Sequence, residues 1–157
     1  MSRIDTFNKI IDLLNLAKAD FEIVEHEPVY TSEQAASIRG LGLKSGAKSL
    51  LLKINSDFKM FVLPGDQKLD MRKVKRLVSA KKIRFATPAE VEDITGTQIG
   101  AVYPFGIIAG VEMFVDRKLA ENDVIAFNPA VHHKSIIMKF DEYTKVTKPK
   151  LADFTEE

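Results

Sequence analysis

The chain contains no cysteine and only three histidines, and its net charge is just +1. Without cysteine it can build no disulfide scaffold, thiolate zinc site, iron–sulfur cluster or cysteine nucleophile. That composition fits a reducing compartment, and the cytoplasm is the expected location. The longest apolar runs are a few residues, as at Leu50-Leu51-Leu52, so no membrane span and no secretory leader is expected. With charges nearly balanced, any affinity for nucleic acid must come from local patches. Also missing are a G-x-S-x-G elbow, a Walker A loop, a Rossmann fingerprint and an H-E-x-x-H pair. No repeat and no low-complexity segment is present.

What remains is a chain of 157 residues, 45% apolar and 29% charged. That length suits one domain, expected over residues 1–147, with 148–157 as a flexible tail. A chain this long buries roughly 68–70% of its unfolded surface and needs no covalent staple.

Ile4, Phe7, Ile10, Ile11, Leu14 and Ala17 recur at helical spacing, with Ser2 able to cap the helix. Phe21 to His26 reads as a strand stopped by Pro28. Thr31 and Gln34 have capping-box spacing for a short second helix that Gly40 ends. Ala47 to Ile54 and Phe58 to Leu63 form a hairpin around Asn55-Ser56-Asp57. Asp70 caps a third helix reaching about Ser79, and Ile83 to Ala86 is a short strand. Thr87-Pro88-Ala89-Glu90 starts a fourth helix that ends at Thr95-Gly96. Beyond it, Gly110 to Asp116, Val124 to Asn128 and Ser135 to Phe140 read as strands. Short antiparallel-looking strands with interspersed helices predict a mixed α/β, or α+β, domain.

Four features could carry chemistry. Lys48 shares a strand face with Leu50, Leu52 and Ile54. A lysine on an apolar face needs a partner, a shifted pKa or a cavity mouth, unless it snorkels from a strand end. The segment from Gly100 to Gly106 holds two glycines and Pro104, which shape a loop. Its backbone N–H groups could bind an ester or carboxyl oxygen, or the segment is a plain turn with Tyr103 and Phe105 in the core. His132-His133 would face opposite sides of a strand and make a poor metal pair, so no metal and no cofactor is expected. Arg72, Lys73, Lys75 and Arg76 lie away from the apolar positions of the third helix. They read either as a solvated face or as a phosphate-binding one.

At these residues the chain resembles the YbaK/ProX group of aminoacyl-tRNA deacylases, which also forms the editing domain of bacterial prolyl-tRNA synthetases. The resemblance rests on His26-Glu27-Pro28, Thr31-Ser32-Glu33-Gln34-Ala35-Ala36 and Ala47-Lys48-Ser49-Leu50-Leu51. It continues through Leu69-Asp70-Met71-Arg72-Lys73-Val74, Thr95-Gly96 and Gly100 to Gly106, spanning about residues 20–140. It implies a mostly antiparallel, barrel-like sheet with surrounding helices. It also implies a trans-editing hydrolase that cleaves the ester of a mischarged aminoacyl-tRNA. The expected amino acid is small, such as alanine or cysteine, on tRNA(Pro) or a related tRNA. The family's lysine falls on Lys48, and its G-x-x-x-P loop on Gly100 and Pro104. Lys48 and Gly100 are thus the expected catalytic residues, with Lys48 open to a cationic or a general-base role. Tyr30, Thr31, Ser49, Phe105, Gly106, Asn128, His132 and His133 join Pro104 as expected substrate contacts. Asn128 stands where some members carry a histidine, a departure that bears on the choice of amino acid. Arg72, Lys73, Lys75 and Arg76 are the expected RNA contacts. Aminoacyl-tRNA is the expected partner, an aminoacyl-tRNA synthetase a further one, and the protein itself a monomer or weak homodimer. Two other readings compete: a non-catalytic tRNA-binding domain of the same fold, and a hydrolase of small esters or amides.

Overall fold

The computed structural model describes residues 3–157. It opens with helix α1 (Arg3–Leu16), which buries Ile10 and Leu14 completely but leaves Ile4 68% exposed. The apolar face expected from Ile4 onward thus begins one turn later. Ser2, expected as the cap, lies outside the described residues. Strand β1 (Phe21–Glu25) follows, then α2 (Ser32–Arg39). Thr31 caps α2 by accepting from the Gln34 N–H, and Gly40 ends it in the left-handed conformation at φ 71°.

The hairpin of β2 (Ala47–Ile54) and β3 (Asp57–Pro64) pairs Ile54 with Asp57, so its turn is the two residues Asn55 and Ser56. β3 is followed by α3 (Met71–Leu77), β4 (Ile83–Phe85) and α4 (Pro88–Thr95). Asp70 caps α3 as expected, and Thr87 and Glu90 form the expected capping box of α4. The remaining elements are α5 (Gly106–Ala109), β5 (Glu112–Asp116), β6 (Val124–Phe127), β7 (Lys134–Lys139), α6 (Phe140–Thr147) and β8 (Lys150–Ala152).

The strands form two sheets. One is antiparallel, in the order β1-β7-β6; the other has the order β4-β2-β3-β5-β8. A bridge between Gly46 and Ala126 joins them locally. The domain is mixed α/β, as expected, but no closed barrel forms among the described residues. Nor is the larger sheet mainly antiparallel at its β5 side: β3–β5 and β5–β8 are parallel pairs. Parallel neighbours need long crossovers, here through α3 to α5 and through β6 to α6, which local pattern does not reveal.

The larger sheet is buried on both faces. Ala47 and Leu51 of β2 and Met60 and Val62 of β3 face one cluster with α1, β6, β7 and Tyr143. Leu52, Ile54, Phe61 and Leu63 face a second cluster with Val74, Phe114 and Phe154. Two-sided burial explains why β3 reads as a nearly continuous apolar run.

The end of the chain departs from the expected flexible tail. Lys150 to Ala152 pair with β5, Phe154 is fully buried, and Leu69 bridges Thr155. Phe154 meets Phe61 edge to face, with ring centroids 5.3 Å apart. A single buried phenylalanine in a polar decapeptide leaves no periodic signal, and its ring partner Phe61 lies about ninety residues upstream in the chain. No helix among the described residues is long and apolar enough to cross a membrane.

Candidate active site

A cavity of about 270 Å³ opens where the start of β2, the end of β6, α2 and the segment 99–102 meet. Tyr30, Thr31, Lys48, Ser49, Gly100 and Asn128, all expected in the site, line it. Lys48 lies half-buried near the start of β2, and its Nζ donates to the Gln67 carbonyl at 2.7 Å. Burial pushes its pKa below the usual lysine value, against the opposing pull of the Glu33 and Asp66 carboxylates.

Gly100 has φ +95°, a conformation that L side chains rarely adopt. A Cβ there would stand 3.1 Å from the Tyr30 carbonyl oxygen. The peptide that follows is held from both ends. The Gly100 carbonyl accepts from Asn128 Nδ2 at 2.8 Å, and the Ala101 N–H donates to Gln98 at 3.1 Å. Two polar atoms close by are buried without a partner among the described residues: Ser49 Oγ and His132 Nε2. Buried polar groups are almost always paired, so such orphans are informative. Ser49 borders the cavity itself.

Nothing in the sequence singles out Arg39, yet at the cavity its side chain, like that of Asn128, makes two hydrogen bonds. Its Nη2 donates to Asn128 Oδ1 at 2.9 Å and its Nε to Ser135 Oγ at 2.7 Å. Burial lowers its pKa to about 10. As the last residue of α2, a basic side chain reads as an ordinary complement to the helix dipole, so its sequence signal is weak.

Residues 26–146 match the family model of the aminoacyl-tRNA editing domain. The chain belongs to this family. It is 34% identical over 154 residues to the multifunctional Ser/Thr-tRNA deacylase ProXp-y of Escherichia coli (strain K12), covering 95% of this chain and 92% of that one. It is 25% identical over 150 residues to the prolyl-tRNA editing protein ProX of Acetoanaerobium sticklandii, covering 92% of each. A solved structure of a candidate trans-editing enzyme for prolyl tRNA synthetase superposes with a TM-score of 0.86 at 25% identity, covering 97% of this chain and 98% of that one. The editing domain is therefore a hydrolase, an aminoacyl-tRNA deacylase, as the resemblance implied.

Other expected contacts sit away from the cavity of this editing domain. Pro104 is buried, and its carbonyl accepts from Tyr143 Oη at 2.7 Å. Phe105 is fully buried, with its ring 5.4 Å from that of Phe127 and 5.8 Å from that of Tyr143. Gly106 starts α5, where a Cβ would fall 2.6 Å from the Val111 carbonyl oxygen. The loop thus divides: its Gly100 end lines the cavity, while residues 104–106 anchor it in the core. Tyr103 belongs to that anchor; its hydroxyl donates to the Thr95 carbonyl, and burial pushes its pKa up to about 12.

The two histidines lie in the turn before β7, not in a strand. His132 is buried, with Nδ1 2.9 Å from the Val29 carbonyl and its ring 4.5 Å from that of Tyr30. It backs Gly100, its Cε1 lying 3.9 Å from where a Cβ would be. His133 is exposed. On α3, Arg72, Lys75 and Arg76 are exposed, as a basic face requires. Lys73 is not free in this way: its Nζ donates to the Thr155 carbonyl at 2.8 Å and ties α3 to the chain end. Leu77, expected on the buried face, is 38% exposed because α3 stops there.

Proposed function

We propose that this editing domain removes a small amino acid from mischarged tRNA at the cavity between Lys48 and Gly100. Water attacks the ester carbonyl carbon, the bond from that carbon to the ribose oxygen breaks, and the ribose oxygen takes back a proton. Lys48 acts as a cation on the terminal phosphate or the ester carbonyl. Gly100 lets the backbone approach the ester and stabilise the developing oxyanion. The observation that carries this reading is the convergence of Lys48 and Gly100, with Tyr30 and Asn128, on one cavity.

Alanine and cysteine, expected from the resemblance, suit a pocket bordered by Ala47, Ala126 and Val102. The E. coli relative is named for serine and threonine, which favours an amino acid that carries a hydroxyl. A site that hydrogen-bonds a substrate hydroxyl discriminates more strongly than one that only measures size. Tyr30, 61% exposed at the cavity edge, offers a ring on which the terminal base can stack. The exposed face of Arg72, Lys75 and Arg76 supplies charge for the acceptor-stem phosphates. The cytoplasm is where the protein meets charged tRNA.

The test is to incubate the protein with tRNAs charged with serine, threonine, alanine or cysteine and follow loss of the aminoacyl group. Shortened half-lives, with serine or threonine foremost, are expected. Half-lives unchanged for all four would overturn the proposal.

A further inference from the structure

We infer that Arg39 is a positioning residue for deacylation, holding the Gly100 peptide in place through Asn128; the inference rests on the reading of the cavity as the deacylation site. Arg39 Nη2 donates to Asn128 Oδ1, and Asn128 Nδ2 donates to the Gly100 carbonyl. These partners leave the Asn128 amide one orientation. A guanidinium can only donate, so Oδ1 faces Arg39; a carbonyl can only accept, so Nδ2 faces Gly100. The amide therefore passes the placement of α2 to the substrate loop.

Arg39 is fixed in turn from its other side. Its Nε donates to the fully buried Ser135 Oγ at 2.7 Å. That oxygen also lies 2.8 Å from His26 Nε2, while His26 Nδ1 lies 2.7 Å from the Glu27 carbonyl. The carbonyl requires a proton on Nδ1, so in the neutral ring Nε2 accepts from Ser135. The Ser135 hydroxyl thus donates to His26 and accepts from Arg39. The guanidinium is clamped between β7 and the end of β6, with Nε on Ser135 and Nη2 on Asn128.

The purpose of such a clamp is conformational. Gly100 sits at φ +95°, and a glycine has more alternatives than any other residue. Fixing the carbonyl on its C-terminal side selects one of them. A loop left free would sample several, and small misplacements of a catalytic group cost rate rather than substrate affinity.

The experiment compares Arg39→Met, Arg39→Lys, Asn128→Ala and the double variant Arg39→Met/Asn128→Ala on one cleavable aminoacyl-tRNA, with thermal midpoints measured alongside. Arg39→Met is expected to lower kcat roughly 10- to 100-fold, the loss typical of a charge-assisted hydrogen bond, with KM almost unchanged. Arg39→Lys keeps the charge but not the two-sided fork, so it is expected to recover little. The double variant is expected to be no slower than Asn128→Ala, because both act through one relay. Asn128→Asp keeps the acceptor for Arg39 and loses the donor to Gly100. It is expected to be as slow as Asn128→Ala although Arg39 keeps its partner, which separates loss of the Gly100 contact from loss of the Arg39 contact. Multiplying losses in the double variant, full rescue by lysine, or a change confined to KM would overturn the inference while leaving deacylation standing. A wild-type protein that cleaves no aminoacyl-tRNA would overturn both.

Discussion

Gly100 lies so close to Tyr30 that a Cβ on the glycine would stand 3.1 Å from the tyrosine's carbonyl oxygen. The nearest atom is backbone, so a side chain cannot be accommodated by a rotamer change. The same residue has φ +95°, so a substitution is strained even before it meets Tyr30.

Gly100→Val is therefore expected to cost about 1–3 kcal/mol of stability through the backbone alone. It is also expected to lower kcat/KM about 100-fold, because the shifted loop carries its backbone N–H out of place for the oxyanion. Denaturant unfolding and single-turnover deacylation measure the two effects. Turnover near wild type would show that Gly100 serves only the turn.

Lys48→Ala is expected to lower kcat/KM by about 10²–10³-fold, the usual cost of removing a charge-stabilising group. Its thermal midpoint should move little, because a half-buried cation gives back part of its desolvation cost when it is removed. Rates within a few-fold of wild type would make Lys48 a strand-end lysine.

The lowered pKa of Lys48 gives a pH signature. If the ammonium is the working form, activity falls as pH rises through the folded-state pKa, below the usual 10.5. Stability runs the other way. Below both pKa values the folded state carries the cost of burying the charge. That cost disappears as pH rises from the folded toward the unfolded pKa. Background-corrected kcat/KM and urea midpoints across the alkaline range test both signs. Activity that rises through this range would contradict the cationic role, and an alkaline limb at or above 10.5 would contradict the lowered pKa.

Arg72, Lys75 and Arg76 are exposed together on α3, whereas Lys73 is tied to Thr155. Replacing the three exposed residues with glutamine is expected to raise KM for full-length aminoacyl-tRNA and flatten its salt dependence. Cleavage of a minimal aminoacyl-adenosine should hardly change, since it has no stem to bind. An unaltered salt slope on full-length tRNA would mark the helix as a solvated face.

Phe154→Ala is expected to destabilise the domain by about 3–5 kcal/mol, the usual cost of deleting a fully buried phenylalanine. Deletion of 149–157 should cost at least as much, since it also removes β8 from the sheet edge. Calorimetry on both variants measures this. Unchanged midpoints would restore the picture of a loose end.

The sequence by itself determined what rests on neighbours close in the chain. Thr31, Asp70 and Thr87 announce helix starts because a cap bonds N–H groups two or three residues away. The β2–β3 hairpin is legible because its two strands are separated by a two-residue turn. Lys48 stands out because alternation places it among leucines, and Gly100 because glycine marks unusual backbone. Only the tertiary structure decided the rest. The parallel pairs β3–β5 and β5–β8 join strands separated by long crossovers, whose partners no local pattern names. The sequence announces no helix at α6, where only Phe140 reads as the end of a strand, since Phe140 and Tyr143 are too few to set a period. The role of Arg39 depends on Asn128 and Ser135, 89 and 96 residues away, and becomes visible only when β6 and β7 close against α2. Caps and alternation are set by local geometry, which each residue carries with it. Burial and the pairing of polar groups belong to the packed chain, and they decide which of the basic residues is clamped at the cavity.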